Sequence, residues 1–299
     1  LSTTLIVRDC RKTSDALFEN LKNGLVEQGI DVIDCGHGPT PMSYFAGYKL
    51  NTDATLMITG SHNPKDDNGI KFTLKNKPFF GEQIKLLKQS HDATSEKKGT
   101  LSSNFSIIDE YVDYILRDLK DQKHQLTIAW DAGNGIAGPV IEKLISKLPL
   151  HNHISLFTDT DPDFPNHHPD PNDEKNLGFL KEKVIETNAD VGFAFDGDGD
   201  RIGIVDDKGN IWPGDKLATF MATHILKENK HAKVLGDVKC SSFFFEHLKE
   251  NEGQPIMVKT GHSWIKKSIK EHMAIFAGEL SGHLFFNDRD NKGYDDGLY

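Results

Sequence analysis

Short apolar runs alternate along the chain with longer stretches in which apolar residues recur every three or four positions. This is the pattern of strands feeding amphipathic helices in a parallel α/β architecture. Residues 4–7 read as a strand, followed by a helix over 14–28 whose Leu17, Leu21 and Leu25 share one face. A strand at 31–35, a short helix after Pro41 and a strand at 54–58 complete a first unit. A second unit has strands at 126–130, 153–157 and 191–195 and helices at 136–148 and 175–188. A third has strands at 233–235, 255–258 and 274–276 with helices between them, and the last residues, 295–299, read as the start of another helix. A Ser-, Thr- and Lys-rich link at 91–106 separates the first two units. The pattern predicts three similar α/β domains, at 1–106, 107–208 and 209–299.

Each unit ends alike: an apolar strand runs into a glycine-containing polar loop. The three are DATLMITGSHNP from Asp53, DVGFAFDGDGDR from Asp190 and AIFAGELSGH from Ala274. Ligands in open α/β sheets gather at the carboxyl ends of strands, so three such loops suggest one shared cleft.

In the first loop, Gly60 and Pro64 favour a tight turn exposing the Ser61 hydroxyl. A serine is a poor nucleophile unless activated. His62 beside it could accept a proton, and Lys71 could neutralise a phosphate. The same residues also suit an ordinary turn with a capping serine. The second loop is harder to explain as a solvated turn. Asp196, Asp198 and Asp200 should all be ionised at neutral pH, and like charges about 4 Å apart repel by roughly 1 to 4 kcal/mol. A divalent cation reverses that sign, and carboxylate oxygens suit Mg²⁺. Arg201 at the sixth position, where an EF-hand has Gly, and Asp207 at the twelfth, where it has Glu, argue against an EF-hand. Arg201 beside a metal suits an anionic ligand. In the third loop, Glu279 and Ser281 are the kinds of group that grip sugar hydroxyls, and His283 could bind phosphate or move a proton. A further glycine turn, Lys259-Thr260-Gly261-His262-Ser263, leads into a helix whose N-terminus would suit an anion.

Composition narrows the partners. The chain has 299 residues with 37% hydrophobic content, enough for real cores. No segment approaches the roughly 20 apolar residues of a membrane span, so no membrane partner is expected. A net charge of −10 without a basic stretch argues against nucleic acid. Cys10, Cys35 and Cys240 are odd in number and scattered, which favours reduced thiols and the cytoplasm. The chain opens at Leu1, so a targeting segment upstream would be invisible.

Taken in order, TGSHNP, DGDGDR and GELSGH resemble the α-D-phosphohexomutases. The resemblance extends to Trp130-Asp131-Ala132-Gly133-Asn134-Gly135 and Phe164-Pro165-Asn166-His167, and it covers nearly the whole chain. It implies mixed-sheet α/β domains with the active site in the cleft between them. It implies a reaction that moves phosphate between O1 and O6 of a hexose phosphate, mannose or glucose, through a hexose 1,6-bisphosphate. By this resemblance Ser61 would be the phosphoserine, and Asp196, Asp198 and Asp200 would hold one Mg²⁺ with an oxygen of Ser61. His62, Lys71, Arg201 and His262 would handle phosphate and protons, while Glu279, Ser281 and His283 would meet the sugar. Leu280 fits the mannose and glucose branch, where the glucosamine-phosphate branch carries Gln. The resemblance also implies an arginine-bearing segment before Leu1 and a fourth, phosphate-clamping domain after Tyr299, without which this chain would turn over poorly. Three other readings remain: a phosphoglucosamine mutase within the same family, a catalytically incomplete sugar-phosphate or metal-binding module, and an aspartate-nucleophile phosphatase. The phosphatase would require Thr or Val at position 200 and would leave Ser61 without a task. The oligomeric state is not legible.

Overall fold

In a computed structural model of the chain, residues 1–87, 97–117, 119 and 124–299 are described; part of the link expected at 91–106, residues 91–96, lies outside them. The first sheet is built from β1 (Thr3–Arg8), β2 (Asp31–His37), β3 (Ala54–Ile58), β4 (Ile70–Leu74), β5 (Lys77–Phe79) and β6 (Leu101–Ser103). Helices α1 (Ser14–Glu27), α2 (Thr40–Lys49) and α3 (Glu82–Leu86) accompany it, and α4 (Ile107–Leu116) follows. The second sheet contains β7 (Thr127–Asp131), β8 (Asn152–Leu156), β9 (Val191–Phe195), β10 (Ile202–Asp206) and β11 (Ile211–Trp212), with α5 (Gly138–Ser146) and α6 (Gly178–Thr187). The third contains β12 (Lys233–Asp237), β13 (Gln254–Val258), β14 (Phe276–Gly278), β15 (Leu284–Phe286) and β16 (Tyr294–Asp295), with α7 (Gly214–Glu228), α8 (Ser242–Glu250) and α9 (His262–His272).

One topology is repeated three times. The orders β2-β1-β3-β4-β5, β8-β7-β9-β10-β11 and β13-β12-β14-β15-β16 correspond position by position, with β6 added beside β2 in the first sheet. In each, three parallel strands are extended by two antiparallel ones. The fold is therefore the expected succession of mixed-sheet α/β domains. The loop from the last parallel strand to the first antiparallel one carries, in turn, Ser61, the aspartates and Glu279. Residues 295–299 do not begin a helix: Asp295 ends β16, and the Asp296 carboxylate accepts the backbone N–H of Leu298 and of Tyr299, at 3.0 and 2.9 Å, which turns the chain.

The parallel strands form because they are apolar enough to be covered on both faces. Ile6 faces α1 with Phe18, Val32, Leu56 and Ile58, and the apolar stripe Leu17, Leu21 and Leu25 packs there. On the other face, Leu5 and Val7 join Met42 and Ala46 of α2, Ile107, Tyr111 and Ile115 of α4, and Trp130, Val140 and Ile141 of the second domain. Burying each such aliphatic side chain contributes about 1.5–3 kcal/mol, so α4 ties the first two domains through one core. In β4, alternation sends Ile70 and Phe72 to the core and leaves Lys71 on the opposite face.

Backbone bonds then tie the aspartate loop to the start of α2 on one side and to the third loop on the other. Thr40 N donates to Asp198 O at 2.8 Å, and Ile202 N donates to Gly282 O at 3.1 Å. Arg201 and His283 pair as an antiparallel bridge between the second and third domains. The first and third domains meet where Lys270 Nζ donates to Asn76 O at 2.7 Å and the Phe80 and Trp264 rings meet edge-on at 4.9 Å.

Candidate active site

Ser61 stands just beyond β3 with φ +48°, in the left-handed region that a residue with a Cβ occupies only when its surroundings dictate it. Those surroundings are specific. The Arg11 guanidinium, buried under the turn, donates from Nη2 to Ser61 O at 2.7 Å and Asn63 O at 2.8 Å, and from Nη1 to Pro64 O at 2.6 Å and Asp67 O at 2.9 Å. Asp9, also buried, lies 3.4 Å from Arg11 Nε and accepts Gly60 N at 3.2 Å. Ser61 N donates to Thr59 Oγ1 at 2.8 Å. The Ser61 hydroxyl is left on the cleft side, 2.9 Å from Asp196 Oδ2 and 3.2 Å from His62 Nδ1. Burial, then the Arg201 charge, hold the His62 imidazole below its ordinary pKa, so it is a neutral group beside the hydroxyl near pH 7.

The three aspartates of the second loop are fully buried. Their carboxylates offer ligand oxygens within 4.8 Å of one another. Asp196 Oδ1 accepts the backbone N–H of Asp200 and Arg201, both at 3.1 Å, which curls the loop around it. Lys71, sent here by the β4 alternation, reaches Asp198 Oδ2 at 2.7 Å and Asp200 Oδ2 at 2.6 Å, and the Thr40 hydroxyl also donates to Asp198. Even so, Asp198 Oδ1 and Asp200 Oδ1 are buried without a hydrogen bond. Burial, then the Asp200 and Asp198 charges, push the Asp196 carboxyl well above the usual carboxylate range. Three buried carboxylates against one lysine, with orphaned oxygens, is a site that suits a hard divalent cation. Close approach is part of the design: a Cβ on Gly197 would lie 2.4 Å from Ser61 O, so only glycine lets the aspartate loop sit against the serine turn.

The third loop supplies the other wall. His283 Nε2 accepts from Arg201 Nε at 3.0 Å, and its Nδ1 faces Asp295 Oδ2 at 3.2 Å and Asp200 Oδ1 at 3.5 Å. Burial disfavours the charged His283 ring, but Asp200 and Asp295 outweigh it and raise its pKa, while the Arg201 bond favours the neutral form with its proton on Nδ1. Glu279 is buried, with Oε1 accepting Gly261 N at 2.7 Å, and burial raises its pKa. Ser281 is engaged through its carbonyl, which accepts from Asn172 Nδ2 at 2.9 Å. His262 opens α9, with its ring parallel to that of His283 at 5.8 Å.

The structure thus joins Ser61, His62, Lys71, Asp196, Asp198, Asp200, Arg201 and His283 in one contact network, with His262 stacked on its edge and Glu279 and Ser281 in the adjoining loop. Sequence reasoning missed Asp9, Arg11, Thr40, Asp295 and, on α9, Lys266, whose Nζ donates to Asp295 Oδ1 at 2.8 Å. The charged run Arg8-Asp9-Cys10-Arg11, placed straight after a buried strand, was a usable signal. The three cysteines form no disulfide, and burial pushes the Cys10 and Cys35 thiols up to about 12. Among the described residues, no helix is long and apolar enough to cross a membrane.

Comparison with known proteins agrees with this arrangement. Residues 2–98, 109–209 and 213–299 match the family models of phosphoglucomutase/phosphomannomutase α/β/α domains I, II and III. The phosphomannomutase/phosphoglucomutase of Pseudomonas syringae pv. tomato is 43% identical over 295 residues, 98% of this chain and 62% of that protein. The phosphoglucomutase of Neisseria meningitidis serogroup A is 41% identical over 297 residues, covering 98% of this chain and 64% of its own length. The crystal structure of a phosphoglucomutase/phosphomannomutase family protein from Burkholderia thailandensis superposes with a TM-score of 0.92 at 40% identity, covering 100% of this chain and 66% of that one. The chain therefore spans less than two thirds of the length of these relatives. With all three domain models in order along a fold and cleft of this kind, the chain belongs to the phosphoglucomutase/phosphomannomutase family of α-D-phosphohexomutases.

Proposed function

We propose that the protein containing this chain moves a phosphoryl group between O1 and O6 of a hexose phosphate, glucose or mannose, with Ser61 as the carrier. The observation that carries this reading is the Ser61 hydroxyl 2.9 Å from Asp196, on a turn held by Arg11 and facing a buried aspartate cluster. In the first half-reaction the phosphoryl group leaves Ser61 Oγ and bonds to the oxygen of the free sugar hydroxyl, whose proton passes through a base of the cleft to the Ser61 oxygen left behind. The product is the 1,6-bisphosphate. After the sugar turns over, its other phosphoryl group bonds to Ser61 Oγ, whose proton passes by way of the same base to the sugar oxygen left behind, so phosphate and protons balance.

Asp196, Asp198, Asp200 and an oxygen of Ser61 are the residues that would hold Mg²⁺, which would supply positive charge against the transferred group. Lys71 adds charge from the β4 side and Arg201 from the loop end. His62, a neutral imidazole beside the Ser61 hydroxyl, and His283 on the facing wall are the imidazoles within reach of protons. Glu279, Ser281 and His283 would meet the sugar. A bisphosphate would load Ser61 and act as activator, and a reducing, cytoplasmic setting suits the three free thiols.

The test is ³¹P NMR of glucose 1-phosphate and mannose 1-phosphate incubated with the full-length protein, Mg²⁺ and a trace of bisphosphate. Interconversion to the 6-phosphate, lost in Ser61→Ala, is expected. Interconversion undiminished in Ser61→Ala would refute the reading.

A further inference from the structure

Lys266, on the second turn of α9, is almost completely buried. Its ammonium has three protons and three acceptors: Tyr44 OH at 2.8 Å, Asp295 Oδ1 at 2.8 Å and His262 Nδ1 at 3.0 Å. An ammonium only donates, so Nδ1 of His262 must be the acceptor. The alternative partner for that nitrogen, Asp295 Oδ2, lies at 3.6 Å, outside hydrogen-bond range. A neutral imidazole with Nδ1 unprotonated carries its proton on Nε2. That nitrogen has no hydrogen-bond partner among the described residues, and the side chain remains one-third exposed.

The surroundings reinforce this state. Burial first, and the Lys266 charge second, hold the His262 pKa well below its ordinary value, against the pull of Asp295. His262 is also the first residue of an 11-residue helix, where the positive end of the helix dipole disfavours imidazolium. The neighbouring His283 is held differently, with Nε2 occupied by Arg201. Two parallel imidazoles therefore present different faces to one cleft.

We propose that Lys266 is a positioning residue that fixes His262 as a permanently neutral Nε2–H donor to an oxygen of the anionic sugar-phosphate ligand, so that His262 gives a hydrogen bond and takes no proton. The ligand in this statement rests on the function proposed above, whereas the tautomer does not. The Lys266 bond to Tyr44 runs from the third domain to the first, so the same contact couples the donor's orientation to closure of those two domains.

The experiment is ¹⁵N NMR of the chain labelled in histidine, across about pH 5 to 8, the range in which free imidazole titrates. His262 is expected to show a proton-free Nδ1 and a protonated Nε2 throughout, and in Lys266→Met to titrate or mix tautomers. A His262 that titrates in the unsubstituted chain, or carries its proton on Nδ1, overturns the proposal. Because Lys266→Met removes a buried group and its fold must be checked, His262→Gln and His262→Ala give an independent reading. Gln places an amide N–H near the Nε2 position and accepts no proton. His262→Gln is expected to keep glucose 1,6-bisphosphate binding within a few-fold while His262→Ala weakens it by about tenfold or more. Equal, large losses in both variants would overturn the donor role. Failure of Ser61 to accept phosphate would refute the mutase reading while leaving the tautomer result standing.

Discussion

After β3 the chain turns over a guanidinium that bonds four of its carbonyls. After β9, at the same place in the neighbouring sheet, it turns around three carboxylates, two of which keep an oxygen without a hydrogen bond. The first loop is complete in the protein alone. Its strain at Ser61 is held by Arg11, Asp9 and Thr59, so the hydroxyl is already placed. The second loop gathers like charges that repel unless a cation joins them. The repeated topology supplies equivalent positions, and the side chains decide that one turn is tied by its own bonds while the other is a cluster of carboxylates that could hold a metal ion.

Breaking the rigid loop should have the largest effect. Arg11→Ala leaves Asp9 unpaired in the interior and four carbonyls without their donor, and is expected to cost about 3–5 kcal/mol, read by chemical denaturation. At temperatures where the variant stays folded, labelling of Ser61 should slow by about a hundredfold, the cost of misplacing a reacting group by roughly 1 Å. A variant as stable and as quickly labelled as the parent would show that the turn holds itself.

The aspartate loop should respond to an added cation instead. Added Mg²⁺ is expected to raise the melting temperature of the parent, by about 2.7 kcal/mol of stabilisation at a hundred times its dissociation constant. Asp198→Asn should remove most of that gain. The contact between the two loops can be probed at Gly197, where a Cβ would meet Ser61 O at 2.4 Å. Gly197→Ala is expected to destabilise by about 1–3 kcal/mol and to weaken the Mg²⁺ response.

A smaller effect lies behind the second loop, where His167 Nε2 bonds Asp131 at 3.0 Å and its Nδ1 faces His168 O at 3.0 Å. Both ring nitrogens face acceptors, which favours imidazolium. Burial lowers the His167 pKa, but Asp131 outweighs it and leaves it raised. The folded state then binds the proton more tightly than the unfolded chain. The pair's stabilisation is full below about pH 6.5, the unfolded value, and is lost as pH rises through the folded one. His167→Gln should flatten that part of the stability–pH curve, measured by urea titration at several pH values.

Much of this was legible because it is local. A buried parallel strand is a continuous apolar run, and β1, β3, β7, β9 and β12 lie where that pattern put them. Ser61, Asp196, Asp198 and Asp200 stand in contiguous motifs whose chemistry is hard to explain as a turn. The antiparallel strands were missed because β5, β11, β15 and β16 are only two or three residues long, and β4 and β10 are only partly buried. Arg11 and Lys266 were missed for another reason. Arg11 acts on a turn 50 residues away, and Lys266 on Tyr44, 222 residues away. Neither stands inside one of the three loop motifs. On its own, Lys266 looks like one more lysine in the Lys266-Lys267-Ser268-Ile269-Lys270 face of a solvated helix.

The most direct test of the central claim, a preplaced serine completed by a metal-bound aspartate loop, is peptide-mapping mass spectrometry after incubation with glucose 1,6-bisphosphate, with and without Mg²⁺. The expected result is a single added phosphate on Ser61 that depends on Mg²⁺. Phosphate on an aspartate of the Asp196–Asp200 loop, or on Ser61 to the same extent without any divalent cation, would contradict it.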